Sequence, residues 1–216
     1  MRLLYRKLKG RKGGNPLEKK TESVYAVMQA ILAKLMAQSE SSATKALLAV
    51  LRHSAGKPLG NVPSVWPLLF TYMPESFLSN NGEETKEERA IFAALQLYAM
   101  QKQGTRGREI TGKEKNIGEA LRQIKTKDND QALDRRFVSA MSAQAFDEFI
   151  YSLRQLMKLA KSRGAVPVDF ARLAEDLYWY QCGGAERIRL RWAESYYRDG
   201  KNHEETLYLQ GGNTHE

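Results

Sequence analysis

Metal and nucleophile chemistry most often begins at histidine and cysteine, and this 216-residue chain has three histidines, His53, His203 and His215, and one cysteine, Cys182. A zinc site needs several such ligands at short, regular spacings, and no pair here has them. A cysteine nucleophile needs a general base; only His53 lies outside the polar C-terminal tail, so Cys182 reads as a small buried hydrophobe. The glycine-rich run Gly104-Thr-Arg-Gly-Arg-Glu-Ile-Thr-Gly112 lacks the Gly-Lys-Ser/Thr ending and the strand-loop-helix setting of a phosphate-cradling nucleotide loop. Glu83, Glu84, Glu87 and Glu88 stand at an expected helix start, where carboxylates complement the helix dipole. The residues therefore lead to an expectation of no catalysis, no metal and no cofactor.

Cations are the remaining candidates. The formal charge is +9, from 34 Lys and Arg against 25 Asp and Glu, and residues 1–20 hold eight cations and one anion, a net of +7. Such an arm suits polyphosphates or an acidic membrane surface, but arms of this kind are more often merely solvated. Sparser clusters lie further along: Arg122 with Lys125, Arg135-Arg136 after Asp134, and Arg187, Arg189, Arg191 and Arg198 interleaved with Trp192, Tyr196 and Tyr197. Each alone is usually a solvated or ion-paired face. Together they recur where loops and helix ends meet, and Arg and Lys there bind phosphate by charge-assisted hydrogen bonds that position without reading bases. Trp66, Trp179, Trp192, Tyr196 and Tyr197 offer stacking surfaces for single strands, although most fall beside Leu or Ile and read as core.

The elements that carry these residues are helical throughout. Asn15-Pro16-Leu17-Glu18 is a helix start, and Val24, Val27, Met28, Ile31, Leu32, Leu35 and Met36 follow at helical spacing, predicting about five turns. A second helix ends near Arg52-His53; a third starts at Pro63, carries Trp66 to Phe70 and ends at Pro74. Thr85-Lys-Glu-Glu88 forms a capping box for a long helix to about Lys102. Ile117 to Ile124 make a short helix, Asp128 caps the next, and Ser142 caps the helix whose stripe is Ala145, Phe146, Phe149, Ile150, Leu153, Leu156, Met157 and Ala160. Arg163-Gly164 closes it, Pro167 starts another, and Gly183-Gly184 precedes a last helix bearing Ile188, Leu190, Trp192 and Tyr196. No stretch alternates long enough for a strand.

The expected fold is all-α, a two-lobed bundle of about nine helices. The division is a basic arm 1–14, an N-terminal lobe 15–102, an exposed basic glycine-rich loop 103–116, a C-terminal lobe 117–198 and a polar tail 199–216. No apolar run approaches the ~20 residues of a membrane span, and the basic N-terminus has no continuous apolar segment such as a secretory signal requires. A cytoplasmic location is the default expectation, with no membrane partner.

Several stretches resemble one known family. They are Leu51-Arg-His-Ser-Ala-Gly-Lys-Pro58 with Val62-Pro-Ser-Val-Trp-Pro-Leu-Leu69, Asn116-Ile-Gly-Glu-Ala-Leu-Arg122, Leu133-Asp-Arg-Arg-Phe137, Leu153-Arg-Gln-Leu-Met-Lys158, Val166-Pro-Val-Asp-Phe-Ala-Arg-Leu173 with Asp176-Leu177, and Arg189-Leu-Arg-Trp-Ala-Glu-Ser-Tyr-Tyr-Arg198. In order and spacing they resemble the CasB family, the small helical subunit of the type I-E CRISPR surveillance complex Cascade. Ala140-Met141 departs from the Leu-Leu pair expected of the family, and the arm and tail have no counterpart in it. The resemblance implies a two-lobed, non-catalytic helical subunit, present as two copies beside other Cascade subunits. It also implies contact with the backbones of the guide RNA, the target DNA and the displaced strand, stabilising the R-loop.

Carried onto this sequence, the implied nucleic-acid contacts are Arg52 and Lys57, then Arg122, Arg135 and Arg136, then Arg154. Lys102, Arg106, Arg108 and Lys113 are added on charge and expected exposure. For Arg187, Arg189 and Arg191 either backbone contact or packing on a neighbouring subunit is open. The competing expectation is a helical scaffold or adaptor whose basic surface serves protein contacts.

Overall fold

The structure is a computed structural model, and it describes residues 23–105, 115–125, 130–164 and 167–198. These form nine α-helices and short 3-10 turns, with no strand among the described residues. The all-α expectation holds.

Helix α1, Val24–Ala37, starts where the Ser23 side chain accepts the Ala26 N–H at 3.0 Å. Ser23 has extended backbone angles, so α1 begins there and has four turns; the expected start at Asn15 lies outside the described residues. Its stripe is buried as expected except Met36, which is 47% exposed. Helix α2, Ser42–His53, is capped by Ser41, and α3, Trp66–Tyr72, follows a 3-10 turn begun by Pro63.

Helix α4, Lys86–Lys102, opens with the predicted capping box: Thr85 accepts the Glu88 N–H while the Glu88 carboxylate accepts the Thr85 N–H at 2.8 Å. Every residue from Ala90 to Ala99 is buried. A helix buried on all sides is the axis of a core and not one of its walls, and four alanines, Ala90, Ala93, Ala94 and Ala99, let neighbours approach that axis closely.

Helix α5, Ile117–Gln123, is capped by Asn116. Helix α6, Gln131–Ser142, is capped by Asp130, which accepts the Leu133 N–H at 3.1 Å; the expected cap, Asp128, lies outside the described residues. Helix α7, Phe146–Arg163, starts at Ala145 with no side-chain cap. The predicted cap Ser142 instead ends α6 and donates its hydroxyl to the Val138 carbonyl, the back-bonding that hydroxyl residues use inside helices. Helix α8, Phe170–Trp179, is capped by Asp169. A π-helical turn, Tyr180–Gly184, with Gly183 at φ +86°, leads into α9, Ala185–Tyr197.

Helix α8 packs against α4 and α1, α2 lies on α4, α6 and α7 form a pair, and α5 lies along α9. One contiguous apolar core runs from Val24 to Tyr196. The α5–α9 approach depends on Gly118: a Cβ there would overlap the Trp192 carbonyl and lie 3.1 Å from the Tyr196 nitrogen, both backbone groups that cannot swing aside. Gly118→Ala is therefore expected to destabilise the protein by about 3 kcal/mol or more, a melting-temperature loss of roughly 10 °C. Gly60→Ala, where nothing lies within 4 Å, should leave the melting temperature unchanged.

Candidate nucleic-acid interface

Helix α7 must bury its apolar stripe against α6 and α4, and Arg154 falls on that stripe. It is 8% exposed, yet it makes no hydrogen bond or ion pair with any described residue. Burial pulls its pKa below the ordinary value, opposed by nearby Tyr151; a guanidinium nonetheless stays charged. Its side chain lines a cleft of about 840 Å³ between α7, α4 and the turn after α2, where Lys57, Gln96 and Tyr151 also line the wall. Gly56, at φ +87°, brings that turn so close that a Cβ would stand 3.3 Å from the Arg154 Nη1.

More cations gather at this end of the molecule. Arg52, on the last turn of α2, is near enough to Lys161 to lower its pKa, adding to the larger effect of burial on that lysine. Lys161 lies two turns after Arg154 on α7 and donates to the Met100 carbonyl near the end of α4, where Lys102 occupies the last turn. Arg52, Lys57, Lys102 and Arg154 are thus brought together, with Lys161 as a fifth. Lys161 is missing from the sequence expectation, although its spacing of seven from Arg154 on one helix was a readable signal.

A second group forms where α5, α6 and α9 meet. Arg122 donates to the Arg198 carbonyl at 2.6 Å, and Lys125 is paired with Asp134 at 2.8 Å while lying 4.8 Å over the Tyr196 ring. Burial raises the Asp134 pKa, but hydrogen bonds from Lys125 and the Tyr196 hydroxyl outweigh it, and the net shift is downward. Arg135 and Arg136 are exposed on α6; Arg135 reaches only Gln131, at 3.4 Å, and Arg136 has no partner among the described residues. They are free to meet an anion.

The arginines of α9 behave differently. Arg191 is ion-paired with Asp176, a buried carboxylate that also accepts the Trp192 indole N–H at 2.8 Å. Arg189 donates to the Ala143 carbonyl and to the Tyr180 hydroxyl, with its guanidinium 5.2 Å from the Tyr180 ring. Both are internal struts, and of the three only Arg187 is exposed. Arg106, Arg108 and Lys113 lie outside the described residues.

Cys182 is exposed, not buried as expected: it sits with Gly183, at φ +86°, on the kink between α8 and α9, where the backbone leaves helical angles. Trp192 and Tyr196 are core as expected and Trp66 is partly buried, while Trp179 and Tyr197 are exposed. Among the described residues no cluster of His, Cys, Asp and Glu has the makings of a metal site, and no helix is long and apolar enough to cross a membrane.

This division of arginines is open to test by thermal melts. Arg191→Ala, which strands the buried Asp176 carboxylate, is expected to cost about 2–4 kcal/mol, roughly 5–10 °C. Arg189→Ala should cost about 1–2 kcal/mol, since the Tyr180 hydroxyl still donates to the Ala143 carbonyl. Arg135→Glu and Arg136→Glu should stay within about 0.5 kcal/mol of the parent protein.

Similar folds occur among solved structures. CasB of Thermobifida fusca superposes with a TM-score of 0.66 at 24% identity, covering 81% of this chain and 98% of its own. CasB of M. ruber gives 0.61 at 22% identity, covering 84% and 97%. A chain of a CRISPR RNA-guided surveillance complex gives 0.62 at 20% identity, covering 87% and 98%. No curated protein sequence matches. The sequence profile of the CRISPR-associated protein Cse2 family matches residues 47–197, a span that contains both cation groups, and the chain belongs to the Cse2 family.

Proposed function

We propose that this protein is a non-catalytic, nucleic-acid-binding subunit of a type I-E CRISPR surveillance complex of the Cascade kind, acting in the cytoplasm in antiviral defence. The observation that carries the reading is that Lys57 and the unpaired Arg154 line one cleft, while Arg52, Lys102 and Lys161 gather at the neighbouring ends of α2, α4 and α7. Lys57 and Arg154 have no carboxylate partner among the described residues, and cations so placed attract a polyanion through contacts that grip phosphates whatever the base sequence. A structural neighbour belongs to an RNA-guided complex, which supports the guide RNA and the target and displaced DNA strands as the polyanions. Opening a duplex against a guide is a near-balanced exchange of base pairs, so a few backbone contacts suffice to tip it and stabilise the R-loop. Arg122, Arg135 and Arg136 form the second part of the interface. Arg106, Arg108 and Lys113 extend it on charge alone.

The exposed face of α9 favours a protein contact instead. Arg187, Leu190 and Tyr197 share that face, Leu190 being 62% exposed, and an apolar patch rimmed by charge suits another Cascade subunit or a second copy of this chain better than a phosphate chain. The scaffold reading thus applies to this face and the nucleic-acid reading to the cleft.

In a complex reconstituted with the double variant Arg52→Glu/Lys57→Glu, R-loop formation is expected to weaken at least tenfold. The slope of log affinity against log salt should also fall by about 2, near 0.9 for each lost phosphate contact. Affinity and slope equal to those of the parent complex would remove the cleft from the interface.

A further inference from the structure

The cleft holds more than cations. Tyr151 lies at its mouth, one turn before Arg154 on the same face of α7, and is 60% exposed. A tyrosine that open on the same helix as an apolar stripe contributes nothing to the core beneath it. The charged groups of the cleft divide in two. Glu84 accepts the Gly60 N–H at 3.3 Å, Glu83 accepts from the Asn81 amide at 3.4 Å, and Asp147 is paired with Arg89 at 2.6 Å. Lys57 and Arg154 have no ion-pair partner among the described residues, and Gly56, beside Lys57, stands against the Arg154 guanidinium, so two unpaired cations adjoin Tyr151. Glu83 and Glu84 flank Gly82, while Asp147, one turn before Tyr151 on α7, is held by Arg89.

We propose that this end of the cleft is a nucleotide subsite for single strands, in which Arg154 and Lys57 take the phosphate and the ring of Tyr151 stacks on an unpaired base. This rests on the nucleic-acid reading above and adds a discrimination that reading lacks. Backbone contacts alone do not distinguish single strand from duplex, whereas a stacking ring reaches only a base that is out of its helix. A cleft of about 840 Å³ is of a size that takes small molecules, and a groove with one aromatic wall beside a buried guanidinium fits a base with its phosphate. Lys158 and Lys161 continue along α7 past Arg154, over roughly 10 Å at the helical rise, in line for the following phosphates.

The test measures the full-length protein at low salt against a fluorescent oligothymidylate, the same strand with abasic sites, and a duplex of equal length. Tyr151→Ala is expected to weaken binding of the oligothymidylate about tenfold, the loss of one stacked base. Duplex affinity should stay unchanged, and Tyr151→Phe should bind as the parent does. On the abasic strand, parent and Tyr151→Ala should bind equally. Unchanged oligothymidylate affinity in Tyr151→Ala, or an equal loss on the abasic strand, overturns the subsite while leaving the backbone-gripping reading intact if Arg52→Glu/Lys57→Glu weakens both single strand and duplex. Absence of binding by the parent protein to any of the three would overturn the reading and the subsite together.

Discussion

The buried guanidinium of Arg154 is the constraint on which the functional surface depends. Taking a charge out of water costs several kcal/mol even after relaxation, and that cost is usually offset by a carboxylate and hydrogen bonds. Arg154 has neither among the described residues. Its place on the apolar stripe of α7 is dictated by helical periodicity, since Leu153, Leu156 and Met157 on either side must reach the core. The charge is therefore held at the bottom of a cleft by the same packing that stabilises the fold. On the proposed reading, an anion entering the cleft would supply the partner that the protein omits, at a site whose geometry the fold already holds.

The rest of the molecule can be understood by how it treats its other cations. At α9 the arginines are satisfied from within: Asp176 is a buried carboxylate that answers Arg191 and the Trp192 indole together, and Ala143 and Tyr180 answer Arg189. Lys125 is held by Asp134 and two tyrosine rings. These interactions fasten α9 to α8, α6 and α5 and consume charge. Lys57 and Arg154 in the cleft, and Arg135 and Arg136 on the outer face of α6, lack such carboxylate partners among the described residues. One chain thus holds two classes of arginine, those answered from within and those left open, and the carboxylates decide which.

Much of the fold was legible in the sequence because helix punctuation is local. Thr85 with Glu88, and Gly164, each mark an end through their own backbone or a partner three residues away, and each stands where expected, while Pro63 begins a 3-10 turn that runs into α3. Ser142 was misread because a serine at a helix end has two local options, and back-bonding to Val138 won over capping the next helix. Cys182 was misread because it sits on the kink between α8 and α9, which a lone cysteine before two glycines does not announce. The candidate site was legible as a set of arginines but not as two classes of arginine. Nothing in Arg189-Leu-Arg191 says that Asp176, fifteen residues back, stands under the second of them, or that Arg154 has no such residue. Those facts are tertiary.

The central claim is that Arg154 awaits a phosphate. A high-resolution cryo-EM structure of the subunit in a complex holding guide RNA and an opened DNA target addresses it directly. The account predicts a phosphate oxygen within ~3 Å of the Arg154 guanidinium, at charge-assisted hydrogen-bond distance. Nucleic acid crossing the protein elsewhere, with the cleft empty or filled by a side chain of a neighbouring subunit, would contradict it.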